Sequence, residues 1–122
     1  MNPIRFVIIG YGHIGRRHAA MIDRNTETAL VAVVDPKLPT EDLPCPHFSA
    51  WEEFLAAGIQ ADLAVIATPN GWHVTHALQA LDAGLHVVVE KPMGLTGASV
   101  QALIHAAQTR QLALFPVMQN RY

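Results

Sequence analysis

One cysteine, Cys45, is all that 122 residues contain, so no internal disulfide can form and no thiolate cluster is available for a structural zinc. That scarcity fits a reducing cytoplasm, which is the expected location. The sequence also lacks an excess of positive charge: 8 Lys and Arg stand against 10 Asp and Glu, for a net charge of −2, and no basic run occurs. Nucleic acid is therefore excluded as an expected partner. Long hydrophobic runs are missing too. The apolar stretch Phe6–Ile9 is interrupted by Gly10, too short for a signal-peptide core or a membrane span, so no membrane partner is expected. There is no internal repeat and no low-complexity tract.

What is present is an ordinary globular balance, 51% hydrophobic and 15% charged, at a length that suits a single domain, residues 1–122. Short apolar, β-branched runs alternate with segments of helical periodicity. Phe6–Ile9, Leu30–Val34, Leu63–Ala67, His86–Val89 and Leu112–Val117 read as strands. They are almost continuously apolar rather than alternating, as strands covered on both faces are. Ile14–Arg24 carries Ile14, His18, Met21 and Ile22 at helical spacing. Ser49 with Glu52 forms a capping box for a short helix through Ala57, closed by Gly58. Trp72–Ala83 places Val74, Ala77, Leu78 and Leu81 on one face and ends at Gly84, and Gly97–Thr109 follows Thr96 as N-cap. The alternation predicts an α/β fold with a doubly wound parallel sheet, a Rossmann fold. Between Pro36 and Pro46 four prolines forbid a helix, leaving a surface connector with a short edge strand near Phe48.

The first strand runs straight into Gly10-Tyr11-Gly12-His13-Ile14-Gly15. A lone G-x-G-x-x-G is weak evidence, but here it closes a buried strand and opens a helix, as dinucleotide binding requires. Gly10 permits the tight turn, Gly12 has no side chain to block a pyrophosphate, and Gly15 lets the helix approach the sheet. The phosphates would then meet the N–H groups and dipole of the helix start, including those of His13 and Ile14. Asp35 ends the second strand, twenty residues beyond Gly15. A carboxylate there accepts hydrogen bonds from the adenosine ribose and repels a 2′-phosphate, which favours NAD over NADP; nearby Lys37 weakens that preference.

Two further clusters fall at the carboxyl ends of parallel strands, the edge where open α/β sheets bind ligands. The third strand ends in Ala67-Thr68-Pro69-Asn70, with His73 beyond, and the fourth ends in Glu90-Lys91-Pro92. The Lys91 ammonium is suited to polarising a hydroxyl or carbonyl and sharing its proton. With Ala77, Ala80-Leu81, Ala83-Gly84, His86-Val87, the glycine motif, Asp35 and the closing Gln119-Asn120-Arg121-Tyr122, these elements resemble the glucose–fructose oxidoreductase/inositol dehydrogenase family across essentially the whole chain.

The resemblance implies an NAD(H)-dependent oxidoreductase acting on a sugar, cyclitol or nucleotide-sugar hydroxyl carbon. Gly12, His13 and Ile14 would hold the pyrophosphate and Asp35 the ribose. Thr68, Asn70 and His73 would line the adenine-to-ribose side. Glu90 would lie near the nicotinamide ribose, Lys91 would be the catalytic lysine, and Asn120 would lie near nicotinamide or substrate. A cis Lys91–Pro92 bond, turning the lysine along the sheet edge that holds Gly12, Asp35 and Asn70, is expected as well. Family members continue into a larger α/β domain that supplies substrate contacts, an acid–base partner and the usual oligomer interface. That domain is expected to be absent here, leaving the isolated chain inactive.

Several residues have plainer readings. The seven histidines include His73 and His76, three apart on one helix, but no third ligand follows at metal spacing, and no metal site is expected. Trp51 and Trp72 read as packing residues and Cys45 as inert, while Arg16 and Arg17 fit a phosphate contact and an exposed helix face equally well. The competing function is a stand-alone nucleotide-binding module, redox-sensing or CoA-binding, without catalysis; another two-domain dehydrogenase is a third reading.

Overall fold

A computed structural model describes residues 2–68, 72–89 and 97–116. Ile4–Ile9 forms β1, whose run of Phe, Val and Ile favours the extended chain. It leads through the glycine turn into α1 (His13–Arg24), then β2 (Thr28–Val34). A long connector reaches β3 (His47–Phe48), the short edge strand expected near Phe48. Helix α2 (Trp51–Ala57), β4 (Leu63–Ile66), α3 (His73–Asp82), β5 (His86–Val89), α4 (Gly97–Thr109) and β6 (Leu114–Pro116) complete the chain. The strands pair in parallel in the order β3-β2-β1-β4-β5-β6. This is the doubly wound order, with its reversal between β1 and β4.

Because strand side chains alternate, each central strand feeds two cores. Val7, Ile9, Ala32, Val34, Ala64 and Ile66 pack on one face, beneath Trp51 and Phe54 of α2, Ala77 and Leu81 of α3, and Leu103 of α4. Ile8, Val33 and Val65 pack on the other, beneath Ile22 of α1. Ile8 and Ile66 are fully buried, so truncating either to Ala should cost about 2–5 kcal/mol. Among the described residues the second face is covered mainly by α1, and Leu43 and Cys45 of the proline-rich connector pack against it. The connector is thus part of that core, a role its composition did not reveal. Burial there raises the Cys45 thiol to about 11, which keeps it protonated.

Two local expectations change. The capping interaction at α2 runs from Glu53, not Glu52: its carboxylate accepts from the Ser49 N–H (2.9 Å) and hydroxyl (2.8 Å). The helix begins one residue later than the box assumed, with Ala50 as N-cap, so Glu53 occupies the third position and reaches back. Met21 follows the α1 periodicity but is 51% exposed, Gly15 and Ile22 being the buried residues of α1.

Candidate functional site

The carboxyl ends of β1, β2 and β4 converge, and the chain leaves β1 with very little room. Gly10 donates its N–H to the Val34 carbonyl (2.8 Å). Its φ is +95°, and a Cβ there would lie 2.7 Å from the backbone of Ala67 and Thr68. Gly10 therefore satisfies both a left-handed turn and a close approach to the end of β4. At Gly15 a Cβ would lie 2.2 Å from the Gly10 carbonyl oxygen, so α1 presses directly onto the turn. Gly12 is different: a Cβ there would meet nothing within 4 Å.

Arg16 is the first residue whose N–H closes onto a helix carbonyl, that of Gly12 at 3.0 Å. The N–H groups of His13, Ile14 and Gly15 precede it and have no carbonyl one turn behind them within α1. No acidic residue occupies the first turn, and among the described residues no side chain caps it. The positive end of the helix dipole consequently faces open space above Gly12.

Asp35 stands beside this turn. One carboxylate oxygen accepts from the Tyr11 N–H (2.6 Å), the other from the Lys37 N–H (2.8 Å). Its backbone is held as well: the N–H donates to the Phe48 carbonyl (2.9 Å), and its carbonyl accepts from His47 Nε2–H (2.7 Å). A carboxylate can accept about four hydrogen bonds, so roughly half its capacity is left over.

The opposite wall comes from β4 and α3. His73 is 2% exposed and donates from Nε2 to the Thr68 carbonyl at 2.5 Å. His73 Nδ1 is buried without a hydrogen-bond partner among the described residues. His76 Nδ1 lies 3.0 Å from the Thr68 hydroxyl. Burial, and then the neighbouring His73, lower the pKa of His76, favouring its neutral form. Both rings are engaged in holding Thr68. Among the described residues no three His, Cys, Asp or Glu side chains gather to hold a metal ion.

These parts enclose a cleft of about 760 Å³. Gly10, Gly12, His13, Ile14, Asp35 and Thr68 line it. Gly15 lies beneath the turn, and His73 lies behind the wall, where it fixes Thr68 rather than facing the cleft. Asn70, Glu90, Lys91, Asn120 and the Lys91–Pro92 bond fall outside the described residues. Trp72, His76 and Gln79 also line the cleft, a contribution that sequence reasoning missed. Their spacing of four and then three puts them on one side of α3, opposite the apolar stripe. Of the two tryptophans, Trp51 does pack, 7% exposed and 5.0 Å from the Phe54 ring. Trp72 does not: it is 56% exposed, with its ring stacked on His76 at 6.1 Å and 17°.

Arg16 is engaged elsewhere. It pairs with Glu41 at 2.7 and 3.1 Å, donates to the Tyr11 carbonyl at 2.6 Å, and lies 4.7 Å over the Tyr11 ring. The guanidinium hydrogen bonds draw the Glu41 carboxyl down to about 2. A second hollow of about 840 Å³ lies between α1 and residues Glu41–Pro44. It does not adjoin Gly12 or Asp35 and belongs to the α1 side of the sheet.

Residues 4–117 match the Gfo/Idh/MocA family, described as an oxidoreductase family with an NAD-binding Rossmann fold. The chain is 29% identical over 113 residues to the D-glucoside 3-dehydrogenase of Escherichia coli, covering 88% of this chain and 32% of that protein. It is 28% identical over 124 residues to the NADP(+)-linked scyllo-inositol 2-dehydrogenase of Bacillus subtilis, covering 99% and 34%. The crystal structure of the WlbA dehydrogenase from Bordetella pertussis with NADH and UDP-GlcNAcA superposes with a TM-score of 0.85 at 32% identity, covering 98% of this chain and 38% of that one. The chain thus spans about a third of the length of these relatives. With the match covering residues 4–117 and the sheet in the doubly wound order, the chain belongs to the glucose–fructose oxidoreductase/inositol dehydrogenase family as its NAD-binding Rossmann domain.

Proposed function

We propose that the cleft binds NAD(H) in preference to NADP(H), and that the whole protein is a cytoplasmic dehydrogenase of a sugar, cyclitol or nucleotide-sugar hydroxyl carbon. The observation that carries the cofactor site is the contrast among three glycines: Cβ atoms at Gly10 and Gly15 would collide with backbone, whereas one at Gly12 would enter open space at a helix N-terminus. That space fits a pyrophosphate, which the N–H groups of His13 and Ile14 would meet. Asp35 retains acceptor capacity for two ribose hydroxyls, and its charge would oppose a 2′-phosphate. Thr68, held by His73 and His76, would flank the adenosine half, together with Asn70.

When bound, nicotinamide supplies the hydride acceptor; the protein supplies orientation and proton handling. Glu90 and Asn120 would orient the nicotinamide end, and Lys91 would share the proton of the substrate hydroxyl with a group from the remainder of the protein. That remainder would also contribute substrate contacts and the oligomer interface. Relatives of this chain include dehydrogenases of glucosides and inositols, which supports this reading over a non-catalytic nucleotide module. No helix among the described residues is long and apolar enough to cross a membrane.

Gly12→Val tests the cofactor site directly. The added side chain has room in the fold but fills the pyrophosphate position, so NADH binding by calorimetry should fall by at least 100-fold. The thermal midpoint should stay within about 2 °C of wild type, as for a surface change. Retained NADH affinity in that variant would remove the basis of the assignment.

A further inference from the structure

Asp35, on which the choice of cofactor turns, stands where the chain has few constraints. It lies one step beyond β2 and immediately before Pro36, and the strand beside it, β3, is only two residues long. The β2–β3 ladder runs from the Val33 N–H on the Pro46 carbonyl (3.1 Å) to the Asp35 N–H on the Phe48 carbonyl (2.9 Å). In a parallel ladder the next rung would bring the Ala50 N–H to the Asp35 carbonyl, but Ala50 is already the N-cap of α2. The His47 side chain takes that place, with Nε2 at 2.7 Å from the Asp35 carbonyl oxygen. A carbonyl only accepts, so Nε2 carries the hydrogen. His47 is half-buried and does not line the cleft.

The bond acts on one torsion. The ring of Pro36 fixes its own φ and keeps Asp35 extended, which leaves the ψ of Asp35 as the freedom that directs the connector. That angle sets where the carbonyl points, and with it where the Lys37 N–H arrives. The same N–H closes an Asx turn on the Asp35 carboxylate at 2.8 Å, while the other oxygen takes the Tyr11 N–H at 2.6 Å. From this chain of contacts we infer that His47 is a positioning residue for cofactor choice: by holding the Asp35 carbonyl, it fixes the turn that aims the carboxylate at the ribose hydroxyls. It acts through Asp35 and would touch neither cofactor nor substrate. Without the bond the connector swings at Asp35, and the carboxylate loses one backbone donor and its fixed direction. NADH binding then suffers, because the 2′-hydroxyl depends on that direction. NADPH carries a phosphate at that position and loses little. The inference rests on the NAD(H) reading of the cleft and adds a residue that lies behind it.

The test uses the 122-residue chain, calorimetric titration with NADH and NADPH, and amide NMR spectra. His47→Val suits a strand but has no donor, whereas His47→Gln restores an N–H close to the position of Nε2. His47 lies on the edge strand, so both variants should keep the fold, with thermal midpoints within about 4 °C of wild type. His47→Val should weaken NADH by about five- to ten-fold and NADPH by less than about two-fold. Its preference for NADH then falls from at least about ten-fold to about two-fold, and His47→Gln recovers most of it. The Lys37 amide proton, held downfield by the carboxylate, should move upfield in His47→Val and stay in place in His47→Gln. The ratio separates positioning from mere support, because a variant that only loosened the fold would lose both cofactors alike. If the wild type prefers NADH and His47→Val keeps that preference, or loses both cofactors in equal measure, the inference is overturned while the cofactor site stands. If the wild type binds NADH no better than NADPH, or binds neither, the reading of Asp35 falls and takes this inference with it.

Discussion

Asp35 and Asp62 sit at opposite edges of one sheet, and each accepts a hydrogen bond from a backbone N–H of the β1 region. Their surroundings differ in one respect. Asp62, just before β4, takes the Arg5 N–H at 2.8 Å and the Arg5 guanidinium at 3.1 Å on both oxygens. The guanidinium hydrogen bonds hold its pKa below the usual 3.8. Asp35, just after β2, receives two backbone N–H groups among the described residues. The rest of the amino edge repeats the first pattern: His86 Nδ1 accepts from the Ala113 N–H at 3.0 Å, and Arg110 pairs with Asp82 at 2.5 Å. Among the described residues, Asp62 at the amino edge is engaged by a side-chain partner, whereas Asp35 at the carboxyl edge keeps acceptor capacity, as the proposed cofactor site requires. Under the proposed function, stability and binding are separated along the strand direction, which is the division that parallel α/β sheets permit.

The largest test of that division strikes where the two purposes meet. Gly15→Ala places a methyl 2.2 Å from a backbone oxygen that cannot swing away, so urea unfolding should show a loss of about 3 kcal/mol, with NADH binding lost alongside. Gly12→Ala should stay within about 0.5 kcal/mol of wild type. Equal stabilities for the two variants would show that the turn is less tightly packed than described.

Asp62→Asn should act on stability alone. The Arg5–Asp62 pair is partly solvent-exposed, so the expected fall in thermal midpoint is on the order of 2–4 °C, with NADH affinity unchanged. The pH dependence has a definite sign. Asp62 has its pKa lowered in the fold, so its contribution is complete above the ordinary value of about 3.8 and is lost as pH falls through the folded value. The variant should therefore lose part of the stability change seen below about pH 4 and differ most from wild type near neutrality. A drop in NADH affinity would mean that the two edges are coupled.

The smallest effect is expected at the Arg16–Glu41 pair, which lies on the surface between α1 and the connector. Glu41→Gln should move the thermal midpoint by only about 1–2 °C and NADH affinity by less than about two-fold. In the wild type, carbon-13 NMR should show the Glu41 carboxyl titrating near 2, and a midpoint near its ordinary 4.5 would mean that the pair does not persist in solution.

The sheet was legible because Val7–Ile9, Ala32–Val34 and Ala64–Ile66 are apolar on both faces, and only strands covered from both sides read that way. The glycine turn and Asp35 were legible because their spacing follows from local geometry. The aromatic wall was not. Trp72 and Trp51 both stand at helix starts, and nothing in local sequence separates the ring that enters the core from the one that faces the cleft. Tertiary placement decides it: α2 lays Trp51 against Phe54, while α3 buries Ala77 and Leu81 and so turns Trp72, His76 and Gln79 outward. The connector was misread for a similar reason. Its prolines exclude a helix, but the burial of Leu43 and Cys45 depends on how thinly α1 covers the second face.

The central claim is that the unfilled acceptor capacity of Asp35 awaits the ribose hydroxyls of NAD(H). Parallel calorimetric titrations of the wild-type chain and of Asp35→Asn with NADH and NADPH test it most directly. The wild type should bind NADH at least about ten-fold more tightly than NADPH, and the variant, having lost the charge that repels a 2′-phosphate, should narrow that ratio to near one. Equal or tighter binding of NADPH by the wild type would contradict the account.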